Sequence, residues 1–130
     1  MADRIIKEVD IHRKIREMDD AEQDFLRQKK FYQKHEENLS ERRRILDDLI
    51  HSEHQKMKSL LDRINLSFDV ASDFFRELND LKEQSKGEFN LQQLKLEEER
   101  EKAKMTFRKE QAQREKELLE MRKNYASTNK

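Results

Sequence analysis

The sequence predicts an all-α protein folded as a long coiled-coil helical hairpin, and three observations support this. The 130 residues include one glycine and no proline, so the turn chemistry that sheets and compact mixed folds require is nearly absent. About half of the residues are Ala, Glu, Lys, Leu or Arg, a share typical of long helices. Hydrophobic residues make up 33%, too few for a globular core but enough for two apolar positions in every seven.

The first helix is predicted from about residue 3 to residue 84, because a heptad with 4-3 spacing runs without a slip from Ile11 to Ile64. One series is apolar at all but one position: Ile11, Met18, Phe25, Tyr32, Leu39, Leu46, Glu53 and Leu60. Its companion series is apolar at both ends and charged in the middle: Ile15, Glu22, Lys29, Glu36, Arg43, Ile50, Met57 and Ile64.

Beyond Met57 the apolar face broadens, which predicts the hairpin core. The core residues are expected to be Leu61, Ile64, Phe68, Phe74, Phe75 and Leu78. The segment 65–67 could begin a new helix with Ser67 as its N-cap. Because the charged residues after it keep the same phase, we expect one continuous helix instead.

The turn is predicted at residues 84–90, since Gly87 is the only residue suited to a left-handed position after a helix. A second helix of about residues 88–125 follows, with a frayed tail at 126–130, and residues 1–130 form a single domain. Its expected seam is Leu91, Leu94, Met105, Ala112 and Leu119, with Phe89, Leu96, Phe107, Leu118 and Met121 beside it. Folded back from Gly87, this helix covers roughly residues 47–84 at 1.5 Å per residue. Residues 4–45 then project as an arm with an unpaired seam.

The projecting arm is the predicted partner-binding region. Its apolar anchors are Phe25, Tyr32, Leu39 and Leu46, and its charged seam residues are Glu22, Lys29, Glu36 and Arg43. Charged residues at seam positions weaken a coiled coil but select its register and partner. A parallel homodimer would set each charge against its own copy, so the pattern predicts a heteromeric complex or, for the chain alone, an antiparallel homodimer.

Charge and composition argue against several other classes of function. Basic and acidic residues number 29 each and are balanced in both halves of the chain, whereas nucleic-acid binders concentrate positive charge. No apolar stretch approaches the length of a membrane span, and the polar faces mix both signs, unlike a membrane-surface helix. The chain has no cysteine and no secretory signal pattern, so we expect a cytoplasmic protein.

No motif indicates an enzyme or a cofactor. His51 and His54 share a helix face, but a di-iron site needs matching motifs on other helices, so a solvated face is the better interpretation. Phe68, Phe74 and Phe75 fit core packing better than a ligand groove. The basic run 40–44 lies between acidic pairs, which favours a neutralised surface over a phosphate or lipid site. No glycine-rich loop or nucleophile constellation is present.

The segment 64–125 resembles small helical accessory proteins encoded beside LXG toxins of the type VII (Esx) secretion system in Gram-positive bacteria. It combines the aromatic-rich stretch 68–75, a short turn, and a Glu/Lys/Arg/Gln-rich helix ending near Tyr125. The resemblance implies a chaperone that pairs with a toxin's helical N-terminal domain and a sister accessory protein. It also implies targeting to the secretion system, with co-export as an open alternative.

The sequence departs from the wider type VII pattern in two ways. It has no tryptophan, and the export-type spacing of an aromatic residue and an acid occurs only as Tyr32 and Glu36, inside a helix. Both departures suit a companion subunit whose sister carries the export signal. Two alternatives remain open: a stalk or escort coiled coil of a type III or flagellar export apparatus, and a purely structural self-associating coiled coil.

Overall fold

The chain forms two long helices, as described by a computed structural model. The structure describes residues 8–64 and 68–128, with α1 spanning Glu8–Ile64 and α2 spanning Phe68–Thr128. No strand occurs within those two ranges. The two helices pack against each other, so the predicted class, an all-α helical hairpin, is confirmed.

The predicted position of the turn is wrong, because α2 runs without interruption through residues 84–90. Gly87 lies in the interior of this helix and does not have the positive φ of a left-handed residue. Glycine costs only about 1 kcal/mol relative to alanine in a helix, so packing on either side of it overrides that preference. The helix also continues to Thr128, past the predicted end near Tyr125.

α1 ends at Ile64 and α2 begins at Phe68, whereas the sequence predicted one continuous helix through residues 65–67. The proposed N-cap, Ser67, lies outside the described residues, but the charges on either side fit two helix ends. Arg63 stands in the last turn of α1 and Asp69 in the first turn of α2. Each charge is favourable toward the dipole of its own helix terminus.

The residues group into two compact units, and both helices contribute to each. Unit 1 contains the described residues 8–32 and 98–128, and unit 2 contains residues 33–64 and 68–97. Within unit 1 Lys14 contacts Glu117, and within unit 2 His54 contacts Phe75, so the helices run antiparallel in both. The projecting arm is therefore a wrong prediction, because residues 8–32 pack on the C-terminal part of α2.

The heptad predicted for α1 forms its inward face. Ile11, Leu39 and Ile50 are buried, and most other positions of the two series are half-buried. The exceptions are four exposed positions: Glu22, Lys29, Leu60 and Ile64. A strict seven-residue spacing of large apolar side chains was thus sufficient to orient most of this helix.

The seam predicted for α2 is wrong, and the residues expected beside it face α1 instead. Leu96 and Leu118 are buried and Phe107 is half-buried, whereas the predicted seam is exposed throughout: Leu91, Leu94, Met105, Ala112 and Leu119. Leu96, Phe107 and Leu118 stand eleven residues apart. An eleven-residue repeat advances 3.67 residues per turn and so keeps a different row inward than a heptad does.

Candidate partner-binding surfaces

The predicted partner-binding residues of α1 lie against α2 of the same chain rather than on a free seam. In unit 1 the rings of Phe25 and Phe107 stack with centroids 4.2 Å apart and planes 4° from parallel. Lys29 is exposed, and its Nζ lies 5.4 Å from the centre of the Phe25 ring. Tyr32 is half-buried and packs edge-on against Phe31. Glu22 is exposed.

The remaining predicted partner-binding residues belong to unit 2. Leu39 is buried, and Leu46, Glu36 and Arg43 are half-buried. The Arg43 guanidinium donates a hydrogen bond from Nη1 to Oδ1 of Asn90 at 3.3 Å. A role of these side chains in binding a second protein stays a prediction, but each position that faces α2 already serves the hairpin itself.

The predicted hairpin core is divided between inward and outward positions in unit 2. Phe74 and Phe75 are half-buried and meet edge to face with ring centroids 5.9 Å apart, and Phe75 also packs on His54. Leu61 and Leu78 are half-buried, whereas Ile64 is exposed. Phe68 begins α2, and its side chain lies outside the described residues. The most buried residue of this unit, Ala71, was not among the predicted core residues.

Polar contacts join the two helices of unit 1. Lys14 Nζ donates to Oε2 of Glu117 at 2.6 Å and also lies 3.3 Å from Oε2 of Glu17. Arg114 Nε lies 3.6 Å from Oε1 of Glu17, and Gln111 Nε2 donates to the main-chain oxygen of Met18 at 3.1 Å. The contacts of Lys14 with Glu117, Arg114 with Glu17 and Gln111 with Met18 each join the two helices, so together they specify the register of the pairing.

The contact between Lys14 and Glu117 shifts the pKa of both groups. The hydrogen bond from Lys14 lowers the pKa of Glu117, and Gln113, which also donates to this carboxylate, lowers it further. Accepting that bond, Glu117 raises the pKa of Lys14, against the opposing effect of partial burial. The Lys14 side chain is 15% exposed and the Glu117 side chain 42%, so solvent screens the pair only in part.

The surfaces that remain available are the outward faces of the helices, which the sequence analysis did not select as binding surfaces. Leu91 and Leu94 are 53% and 52% exposed on α2 in unit 2, where Ile45, Leu49 and Leu81 are exposed as well. In unit 1 the exposed apolar residues include Phe31, Met105 and Leu119. The eleven-residue spacing of Leu96, Phe107 and Leu118 is the one signal in the sequence for the inward row, and the heptad of Met105, Ala112 and Leu119 competes with it.

Other kinds of site find little support in the described part of the chain. Over residues 8–64 and 68–128, no three His, Asp or Glu side chains converge to hold a metal ion. His51 and His54, the pair considered for metal binding, are exposed. Neither helix, within the same ranges, has a segment long and apolar enough to cross a membrane.

Comparison with known proteins adds no relative. No protein-family model, curated protein or solved structure matches the chain. The resemblance to accessory proteins of LXG toxins stays a prediction.

Proposed function

We propose that the chain is a non-enzymatic helical adaptor that binds a second helical protein through the outward faces of its hairpin. The resemblance of residues 64–125 extends this proposal to a particular partner, the helical N-terminal domain of a secreted toxin. The adaptor then acts as a chaperone that brings the toxin, with a sister accessory protein, to the type VII secretion system.

The observation that carries the proposal is the exposure of large apolar side chains on helices whose inward rows already pack together. In unit 2, Leu91 and Leu94 lie on one side of α2 and are each about half exposed, although Leu96 beside them is buried. Fully burying a leucine contributes roughly 1.5–3 kcal/mol, so burying the remaining half of each side chain in a partner's groove would contribute about half of that.

The proposal is tested by co-purification with the products of adjacent genes, using Leu91→Glu/Leu94→Glu as the disruptive variant. Both positions are exposed, so the hairpin should fold while the partner is lost. The matched control is Gln92→Glu/Gln93→Glu, which adds the same charges on the same turn without removing apolar surface. We expect the control to retain the partner at the wild-type level.

Two outcomes would overturn the proposal. If the wild-type chain purifies alone as a monodisperse homodimer, the structural coiled coil replaces the adaptor. If the partner is retained by Leu91→Glu/Leu94→Glu as well as by the control, the outward face of unit 2 is not the binding surface. Circular dichroism melting of each variant verifies that the hairpin is intact. Toxin export without this chain, with toxin activity measured separately, tests the secretion role.

A further inference from the structure

Four lysines follow one line along the outward side of α2 in unit 1. They are spaced seven residues apart and are exposed, and we name them the lysine row: Lys102, Lys109, Lys116 and Lys123. None of them forms an ion pair with another residue in the described ranges 8–64 and 68–128. Elsewhere on the surface, Arg27 pairs with Asp24, and Arg44 pairs with Glu41 and Asp48.

The sequence around Lys109, in the middle of the lysine row, places no acidic residue where it could neutralise this lysine within the helix. Side chains three or four residues apart are neighbours on a helix surface. For Lys109 those neighbours are Met105, Thr106, Ala112 and Gln113, all uncharged. Lys109 therefore has no acidic residue three or four positions away, whereas the other three lysines each have a glutamate at that distance.

An exposed apolar row lies directly beside the lysines. It consists of Met105, Ala112 and Leu119, and Met105 is 67% exposed. Each of these residues is three or four positions from two lysines, so the two rows share one face. The other side of the apolar row is bordered by exposed charges that alternate in sign: Glu101, Arg108, Glu115 and Arg122.

A second copy of this face is a poor partner for it. In an antiparallel pair centred on Ala112, Glu101 would meet Arg122 and Arg108 would meet Glu115, which is favourable. The lysine row, however, would meet its own copy along the opposite edge, and like charges across an interface are unfavourable. In a parallel pair the lysine row would meet the alternating row of the second copy, so Lys109 would face Arg108, which is also unfavourable. Charge complementarity thus selects a different chain.

A membrane or nucleic acid also fits the face less well than a helix does. The apolar row supplies one position in every seven, half of a coiled-coil seam, whereas a helix that lies in a membrane surface needs a much broader apolar face. Glu101 and Glu115 would stand close to lipid or nucleic-acid phosphates and repel them. A helix can place opposite charges against both edges at the same seven-residue interval.

We propose that the outward face of α2 from Glu101 to Lys123 binds a helix carrying an acidic residue at every seventh position beside a row of apolar residues. The acidic residues face the lysine row, and the apolar residues cover Met105, Ala112 and Leu119. This inference rests on the proposed adaptor function and adds the chemistry of the partner.

The test uses a synthetic helix of about four heptads, with leucine at one heptad position and glutamate along the edge that meets the lysine row. Its other edge alternates arginine and glutamate. Fluorescence anisotropy with the full chain should give an affinity that falls as salt is raised. Lys109→Glu/Lys116→Glu should weaken binding about tenfold or more, since two attractive pairs become repulsive. Both positions are exposed, so circular dichroism should be unchanged.

The matched control is Lys82→Glu/Lys86→Glu, which makes the same change of net charge at exposed positions of α2 in unit 2. This variant should bind the peptide as the wild type does. Equal weakening by the two variants would overturn the proposal, because the effect would then come from net charge alone. A peptide with lysine in place of its glutamate row should bind much more weakly, and equal binding of both peptides would also overturn it.

Two further experiments test other ligands and distinguish failure of this inference from failure of the adaptor function. Tighter binding to phosphatidylserine vesicles or to duplex DNA than to the peptide, lost in Lys109→Glu/Lys116→Glu, would assign the row to phosphates and overturn the proposal. If a gene-neighbour partner depends on Leu91 and Leu94 but not on the lysine row, this inference fails and the adaptor function stands. If no partner co-purifies while the peptide distinguishes the variants, the adaptor function fails and the specificity of the row stands.

Discussion

Within each of the two units, a different kind of contact predominates between α1 and α2. In unit 1 the helices are joined by Lys14 to Glu117, by Gln111 to the main chain of Met18, and by the stacked rings of Phe25 and Phe107. In unit 2 the interface is more aliphatic, and four of its residues are buried: Leu39, Ile50, Ala71 and Leu96. Unit 1 also has two buried aliphatic residues, Ile11 and Leu118, so the units differ in the balance between polar contacts and apolar burial.

The difference indicates which contacts determine the stability of the hairpin and which determine the register of its two helices. Partly exposed ion pairs contribute little net stability, about 0–1 kcal/mol, because desolvation and side-chain ordering offset the attraction. Burial of a leucine or isoleucine contributes roughly 1.5–3 kcal/mol but is tolerant of small shifts. We therefore expect unit 2 to supply most of the stability, and the polar contacts of unit 1 to specify which residues meet.

The largest effect should come from the buried aliphatic residues of unit 2. Ile50→Ala should lower the free energy of unfolding by about 2–4 kcal/mol, since it removes buried methyl groups and leaves a cavity. The neighbouring Leu49→Ala is the control: Leu49 is 54% exposed, so its loss should change stability by less than about 0.5 kcal/mol. Urea unfolding followed by circular dichroism measures both. Equal effects of the two would mean that burial in unit 2 does not determine stability.

A smaller effect, of opposite sign, is expected at Gly87. Gly87→Ala should raise the free energy of unfolding by about 0.5–1 kcal/mol, because alanine favours the helix interior and nothing lies within 4 Å of its added Cβ. At the left-handed position that the sequence suggested, the same change would destabilise the protein. The sign of the shift in the melting curve therefore distinguishes a continuous α2 from a turn at residues 84–90.

The smallest effect should be the pH-dependent contribution of the contact between Glu117 and Lys14. Since the folded state lowers the pKa of Glu117, its contribution is present above the ordinary value of 4.5 and is lost as pH falls through the folded value. Since the pKa of Lys14 is raised, the same contact is lost as pH rises through the folded value, above the ordinary 10.5. Between these limits Glu117→Gln should melt slightly below the wild type.

The difference in melting temperature between Glu117→Gln and wild type should vanish well below pH 4.5. Glu120→Gln on the same helix is the control, because Glu120 is exposed and has no ion pair with any residue in 8–64 or 68–128. A pH-independent difference for Glu117→Gln would mean that its carboxylate charge is not what Lys14 stabilises.

The sequence was sufficient for the fold class and for most of the inward face of α1. Phe25, Leu39 and Ile50 are large, apolar and spaced by sevens, so one period orients them. The turn is not at Gly87 because one glycine costs a helix only about 1 kcal/mol. Arg63 favours a helix C-terminus and Asp69 a helix N-terminus, but each effect is small. A conformational preference of about 1 kcal/mol is easily overridden by packing, and packing cannot be read directly from a single sequence.

The binding surface was the hardest feature to predict, because it depends on which row of α2 faces inward. A heptad count selects Met105, Ala112 and Leu119, and the eleven-residue count selects Phe107 and Leu118 instead. Both rows are apolar, so composition alone does not rank them. The row that faces α1 is the inward one, and this depends on α1 ending at Ile64 and α2 beginning at Phe68.

The residues that contact each other lie closer along the sequence in unit 2 than in unit 1, and this should affect the order in which the units fold. In unit 2 Arg43 and Asn90 are 47 residues apart, whereas in unit 1 Lys14 and Glu117 are 103 apart. Closing the shorter loop costs less entropy, so pairing should begin in unit 2 and then bring the partners of unit 1 together. During synthesis on the ribosome, residues 8–32 are made before the residues they pack on, 98–128. At 5–20 residues per second the delay is roughly 3–13 s. During that interval the stretch with Phe25 and Tyr32 has no α2 to pack on and is the part of the nascent chain most in need of protection.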